Sequence, residues 1–388
     1  MRSDSTTWTN VIVVQPWFSS LGHPAQSTVN LSRTIPRNRV RYFLISAPTE
    51  GSEHYAMAST LAREVPLQTF RGAGGNLRRN TVLALRWLLV DGRFRADERT
   101  LLLFADADLF VICAAASVGL LERFPLVSVV LLSGPESASK HMLKRRLIQS
   151  GMRRARLRVF LRTPELVESW RAAFPEFAEM FRLYPSVESV MPTESLATPS
   201  PKRRLSGDGA TYSRPLRIGV VGQIRIGKCI PQLIRAASNR PREIRVAVYG
   251  PLFKEQPVEF IREMESHHLV HAGFLSEAEM LRIAGEQDYL SGFLERENWD
   301  TRMESATFWL GIKVGTPLLC FDEGWLGRMV RETGAGIALP VNSIEECRIE
   351  GIPGVNSIEY QRCLDSIRKL QLRLTPEALW NELERNLQ

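Results

Sequence analysis

Cysteine is scarce in this 388-residue chain, and the five present, Cys113, Cys229, Cys320, Cys347 and Cys363, are odd in number and far apart. With no C-x-x-C pair and no Cys/His cluster at zinc-ligand spacing, neither a disulfide scaffold nor a zinc module is expected. The five read as reduced packing residues of a cytosolic protein. Apolar runs long enough to span a bilayer are missing too: Leu101 to Leu121 carries Asp106 and Asp108 and fits a buried strand followed by a helix. The polar stretch Met1 to Asn10 runs straight into Val11 to Val14 without a positively charged lead, so no signal peptide is expected. Neither a Walker loop nor G-x-G-x-x-G occurs. His267, His268 and His271 lie close together, but nothing around them completes a metal set, and they read as a surface turn. At 44% hydrophobic and 24% charged, with 26 Gly and 22 Pro, the composition excludes disorder, collagen and coiled coil for the whole chain.

What is present points to two domains, since one core rarely serves so long a chain. Residues 191–214 replace apolar periodicity with Pro, Ser, Thr, Gly and charge, and read as a linker. They separate a first domain, 1–190, from a second, 215–388, whose last helices are expected to close it. Each half opens with a β-branched apolar run, a polar Gly-containing loop and a helix. The first runs Val11 to Phe18 into Ser19 to Pro24; the second runs Leu216 to Val221 into Gly222 to Lys228. Further strands are expected at Val40 to Ser46, Thr100 to Phe104, Val127 to Leu132 and Arg156 to Leu161, then at Ile244 to Tyr249, Leu269 to Ala272, Tyr289 to Leu294 and Pro317 to Phe321. Capping signals at Thr163-Pro164-Glu165, Ser276-x-x-Glu279 and Thr375-Pro376-Glu377 mark helix starts between and after them. Strands alternating with helices predict an α/β fold of two Rossmann-like domains with parallel sheets.

Ligands of such sheets bind beyond the carboxyl ends of the strands. After Val221 comes Gly222-Gln223-Ile224-Arg225-Ile226-Gly227-Lys228, where backbone N–H groups, a helix N-terminus and two cations with no local acid suit a diphosphate. A solvated turn, with its glycines serving only φ > 0, explains the same residues. After Leu294, the charged loop Glu295 to Ser305 offers Arg302 to phosphate and Glu297 or Glu304 to paired hydroxyls; the acids also complement the next helix dipole. In the first half, His23 and Asp106 or Asp108 are the candidate bases, with Glu136 behind them, and each doubles as a helix cap or turn residue.

The second half resembles the nucleotide-sugar domain of GT-B glycosyltransferases, particularly those of bacterial polysaccharide and lipid-linked sugar synthesis. Val221 to Lys228 matches the family's G-R-L-x-x-x-K-G, and His271 to Ser276 its G-x-L-s turn. Gly315-Thr316-Pro317-Leu318-Leu319 matches G-x-P-V-I, and Gly334 to Ile337 the closing strand; together they span about residues 216 to 340 in family order. The resemblance implies GT-B architecture, two Rossmann-like domains with a cleft between them. It implies a donor diphosphate held by Lys228, with Gly222 and Arg225, and transfer without metal; Asp106-Ala107-Asp108 is then fortuitous as a D-x-D, and no cofactor is required. The family's E-x7-E pair is one residue closer here, as Glu297 and Glu304, and Arg302 stands beside them. This leaves the stereochemical course open.

Acid is absent from one stretch. Lys140 to Arg162 contains nine Lys/Arg and no Asp or Glu, and accounts for the whole net charge of +8, from 50 basic and 42 acidic residues. With Met, Leu and Ile interleaved, it reads as a surface for anionic lipid, carried by Lys144, Arg145, Arg146, Arg153 and Arg154. One aromatic, Phe160, and no base-reading motif argue against nucleic acid. The expectation is a glycosyltransferase at the cytoplasmic membrane face with a lipid-linked or saccharide acceptor. A nucleotide-sugar epimerase and an inactive membrane scaffold are the alternatives.

Overall fold

The computed structural model describes residues 8–18, 24–74, 76–90, 96–131, 133–136, 141–185, 190, 215–239, 243–252, 256–273, 275–294, 305–341 and 352–388. The chain divides into two compact units, residues 1–190 with 375–388, and 191–374.

In the first unit the order is β1 (Asn10–Gln15), α1 (Pro24–Thr34), β2 (Val40–Ser46), α2 (Glu53–Glu64), β3 (Leu67–Phe70), α3 (Leu77–Val90), β4 (Thr100–Phe104) and α4 (Leu109–Ser117). Then come β5 (Leu126–Leu131), α5 (Met142–Arg154), β6 (Leu157–Leu161), α6 (Pro164–Ala173) and β7 (Phe181–Leu183). The strands form one sheet in the order β3-β2-β1-β4-β5-β6-β7, every pair parallel. Both faces are covered, which is why β4 and β5 read as continuous apolar runs, TLLLF and LVSVVL, rather than alternating. Ile12, Val14, Leu102 and Phe104 face α3, α4, α5 and α6; Val11, Val13, Leu101 and Leu103 face α1 and α2. Gly151 of α5 lies against the Cys113 backbone, where a β-carbon would stand 2.3 Å from the carbonyl oxygen, so α4 and α5 pack backbone to backbone.

The second unit runs β8 (Leu216–Val221), α7 (Ile230–Ser238), β9 (Ile244–Gly250), α8 (Val258–Ser266), β10 (Val270–Ala272), α9 (Glu277–Glu286) and β11 (Tyr289–Ser291). It continues through α10 (Ala306–Val314), β12 (Leu318–Phe321), α11 (Gly324–Thr333), β13 (Gly336–Leu339) and α12 (Ile358–Gln371). Its six parallel strands follow the order β10-β9-β8-β11-β12-β13. In each sheet the chain therefore reverses direction beside its first strand, at β1/β4 and at β8/β11, which is where doubly wound sheets hold ligands. The capping box at Ser276 forms in full, and Gly315 and Gly334 end α10 and α11 at φ of 72° and 70°.

The last helix, α13 (Pro376–Leu387), departs from the sequence reading, which gave 215–388 to the second domain. Trp380, Leu383 and Leu387, on one helical face, join the cluster of Val11, Val29 and Leu31, so α13 belongs to the first unit. Arg39 fixes it, pairing with Glu384 at 2.6 Å and lying 5.5 Å above the Trp380 ring. Cys113, Cys229, Cys320 and Cys363 are buried and form no disulfide among the described residues, as packing residues would; Cys347 lies outside the described residues. Among the described residues no helix is long and apolar enough to cross a membrane.

Candidate functional site

In the second unit the loop after β8 is held by backbone before any side chain takes part. Gly222 N donates to Tyr249 O at 3.0 Å, and Ile224 N donates to Pro251 O at 2.9 Å. Ile226 N donates to Gln256 Oε1 at 2.7 Å. Gly222 and Gly227 take φ of 105° and 89°, a region L residues avoid. The tightest point is Gly250 at the end of β9: with φ 140°, its missing β-carbon would stand 2.1 Å from Gly222 O. The loop can pass there only because Gly250 has no side chain. Cys229, at φ 49°, turns the chain into α7.

This folding brings Lys228 back over the start of the loop, its Nζ 3.7 Å from where a Gly222 β-carbon would be. Gly222, Arg225 and Lys228 thus meet at the carboxyl edge of β8. Among the described residues no carboxylate pairs with either cation. Burial first, and then the Arg225 charge, push the Lys228 ammonium down to about 8 from its ordinary 10.5. Between those values the native state binds fewer protons than the unfolded chain. The site therefore weakens the fold at neutral pH, and that cost is relieved as pH rises from about 8 toward 10.5. An anion placed there would supply the missing counter-charge. Beyond β11 and β12 a small cavity is lined by Gly292, Leu294, Cys320, Phe321, Glu323 and Leu326. Burial pushes its Cys320 thiol up to about 12, so it is a packing group, not a nucleophile. Glu297, Arg302 and Glu304 lie outside the described residues, as does His23 in the first unit.

In the first unit the two aspartates are engaged structurally. Asp108 caps α4, accepting from Val111 N at 3.1 Å, and stands 3.9 Å from Arg78 Nε. Asp106 has φ 54° and is buried; Gln15 Nε2 donates to its carboxylate at 3.2 Å, and Arg162 Nη2 lies 3.8 Å away. Gln15 Oε1 in turn accepts from Trp17 N at 3.1 Å. Asp106 thus ties together the ends of β1, β4 and β6, a bracing role the sequence did not suggest. Asp106→Ala is expected to cost about 2 kcal/mol of stability, because the buried Gln15 amide loses its carboxylate acceptor and Arg162 loses a charge 3.8 Å away. Equilibrium denaturation reads this; a general base would instead lose turnover at unchanged stability. Glu136 is exposed and curls over Gly134. Of the histidines, His267 stacks on His268 and His271 on Tyr249.

The basic stretch is also partly committed. Arg145 donates to Ala173 O and lies over Phe174, Arg153 lies over Phe177, and Arg154 pairs with Glu122 at 2.6 Å. Only Lys144 and Arg146, of the five cations assigned to lipid, make no such contact among the described residues. Sequence alone could not separate them, because the partners come from α6, the turn after it and the end of α4.

With this geometry in hand, solved structures decide the architecture. Anabaena HepE in complex with UDP superposes with a TM-score of 0.62 over 97% of this chain and 99% of its own, at 13% identity. The fold is GT-B. WaaG, a glycosyltransferase involved in lipopolysaccharide biosynthesis, matches over 97% and 99% with a TM-score of 0.59 at 10% identity. A Listeria monocytogenes protein described as a UDP-N-acetylglucosamine 2-epimerase matches the GT-B chain over 97% and 94%, with a TM-score of 0.56 at 10% identity. No protein-family profile matches, and no curated protein matches in sequence.

Proposed function

We propose that the protein is a glycosyltransferase that takes its sugar from a nucleotide-diphosphate donor bound in the second unit. One observation carries this: Lys228, partly buried and without a carboxylate partner among the described residues, lies over the Gly222 loop at the start of α7. A cation held short of a counter-ion beside a helix N-terminus is an anion site in waiting. Arg225, exposed on the same loop, adds a second charge for the diphosphate. HepE has been crystallised with UDP and with UDP-glucose, which makes uridine donors the first to test.

Transfer moves the anomeric carbon from the β-phosphate oxygen to an acceptor hydroxyl, and the leaving diphosphate gains negative charge as that bond breaks. Lys228, Arg225 and the N–H groups at the start of α7 stabilise that developing charge without moving, an electrostatic form of catalysis. Metal is not needed in this scheme. The acceptor is a lipid-linked or growing saccharide recognised by the first unit, at the cytoplasmic face of an anionic membrane. Its proton goes to a base other than Asp106, whose carboxylate is spent on Gln15 and Arg162. The test incubates labelled nucleotide sugars with the protein and a membrane lipid extract. Label in the lipid or saccharide fraction is expected. Isomerised free donor with no acceptor product would favour the epimerase, a reading the Listeria likeness keeps in play; nucleotide binding without either reaction would leave a scaffold.

A further inference from the structure

The helices α3, α4, α5 and α6 pack on one face of the first sheet, through Leu85, Ile112, Ile148 and Leu166 in a single core cluster. Each follows a parallel strand, so all four begin at the carboxyl edge. They do not begin level. Gly151 meets Cys113, nine residues into α5 but only four into α4. At 1.5 Å per residue the start of α5 overhangs that of α4 by about 7 Å. This overhang accounts for an otherwise unexplained feature, Met142 and Leu143 standing side by side at 68% and 76% exposure. Lys144 and Arg146 follow in the same turns; on the same edge of the sheet Arg71 directly follows β3 and Arg79 stands in the first turn of α3. None of these four cations makes an ion pair or side-chain hydrogen bond among the described residues.

The opposite edge provides a contrast. Val118, at 67% exposure, and Leu120 are exposed there too, but the neighbouring Arg154 is paired with Glu122, and Arg123 donates to Leu88 O. Of these two exposed apolar sites, the one at the start of α5 stands beside cations that make no ion pair among the described residues, and the one after α4 does not.

We propose that the overhanging start of α5 is a membrane-docking tip, in which Met142 and Leu143 enter the acyl boundary of an anionic bilayer while Lys144, Arg146, Arg71 and Arg79 meet lipid phosphates. The pairing of a small exposed apolar wedge with unpaired cations is what interfacial binding needs, since neither term alone anchors a protein. The tip rests on the reading of a membrane-borne acceptor, and sharpens it. It lies at the edge where the first unit would receive that acceptor, and it replaces the charge stripe along all of α5 with one end of the helix.

The test is co-sedimentation of the full chain with vesicles of phosphatidylcholine alone or mixed with phosphatidylglycerol. Binding to the mixed vesicles alone is expected. Arg146→Gln and Arg79→Gln should each weaken it about five-fold, and Met142→Ser with Leu143→Ser about ten-fold or more. Val118→Ser, on the opposite edge, should bind as the unaltered protein does. Equal binding to both vesicle types, equal loss in the Val118 variant, or no loss in the tip variants would overturn the proposal. Release from vesicles by dilute inorganic pyrophosphate at constant ionic strength would also overturn it, pointing to a soluble-phosphate site. Nucleotide titration of the same samples separates the two readings: UDP binding without sedimentation sinks the tip alone, and sedimentation without nucleotide binding sinks the transferase alone.

Discussion

Replacing Lys228 by alanine is expected to weaken nucleoside diphosphate binding by about 10- to 100-fold, the usual worth of one charge-assisted hydrogen bond to a phosphate. Stability should hold or rise slightly at neutral pH, because a partly buried charge without a carboxylate partner is removed. The pH dependence sharpens the prediction. In the free protein Lys228 loses its proton through about pH 8, and a bound diphosphate holds that proton on. Affinity should therefore be level from pH 7 to just below 8 and fall above it, by up to about ten-fold per pH unit. Titration in buffers of different ionisation enthalpy should show proton uptake on binding near pH 8. Lys228→Arg keeps its charge throughout, so its affinity should not fall across that range. A flat profile in the unaltered protein would show that Lys228 is not the contacting cation.

Gly250→Ala is expected to be the most damaging single methyl group in the second unit. Its β-carbon would stand 2.1 Å from Gly222 O, at a φ of 140° that alanine does not adopt. Neither backbone is free to yield, since Gly222 N is bonded to Tyr249 O and Ile224 N to Pro251 O. A cost of about 3 kcal/mol or more follows, with nucleotide binding lost alongside as the Gly222 to Lys228 loop is forced outward. Denaturation and nucleotide titration of the one variant read both effects. An alanine protein with unaltered stability and affinity would mean that the loop does not run where the structure puts it.

The two predictions draw on different degrees of legibility in the sequence. The central strands were plain: Val40–Ser46 and Thr100–Phe104 form as their apolar runs predict, because a parallel strand covered on both faces must be apolar throughout. Leu67–Phe70 and Phe181–Leu183 were not foreseen, since these edge strands are short and half-exposed and carry little pattern. The opening strand stops at Gln15 rather than Phe18, where Pro16 has no N–H to give a ladder and Gln15 accepts from Trp17 N instead. The last helix was read correctly from Thr375 as its cap, yet its unit was not, because which core takes Trp380 and Leu383 depends on three-dimensional proximity to Val11 and Leu31.

The site was legible to a similar depth. Gly222, Arg225 and Lys228 could be nominated from a glycine loop with cations and no acid. That Lys228 lies over Gly222, and that Gly250 and Gln256 make room for and hold the loop, depends on contacts nearly thirty residues apart. The glycine directly after the Ile244 to Tyr249 run was the available signal. Asp106 and Asp108 were indistinguishable in the sequence. Their environments separate them, one into a buried brace and the other into a helix cap.

The most direct test of the account is calorimetric titration of the full chain with UDP, GDP, CDP and ADP near pH 7.5. The account predicts that one of the four binds with clear preference, and that its heat signal is weakened at least ten-fold in affinity by Lys228→Ala. Failure of all four to bind, or binding that Lys228→Ala leaves untouched, would contradict a donor site on the Gly222 loop and with it the proposed transfer.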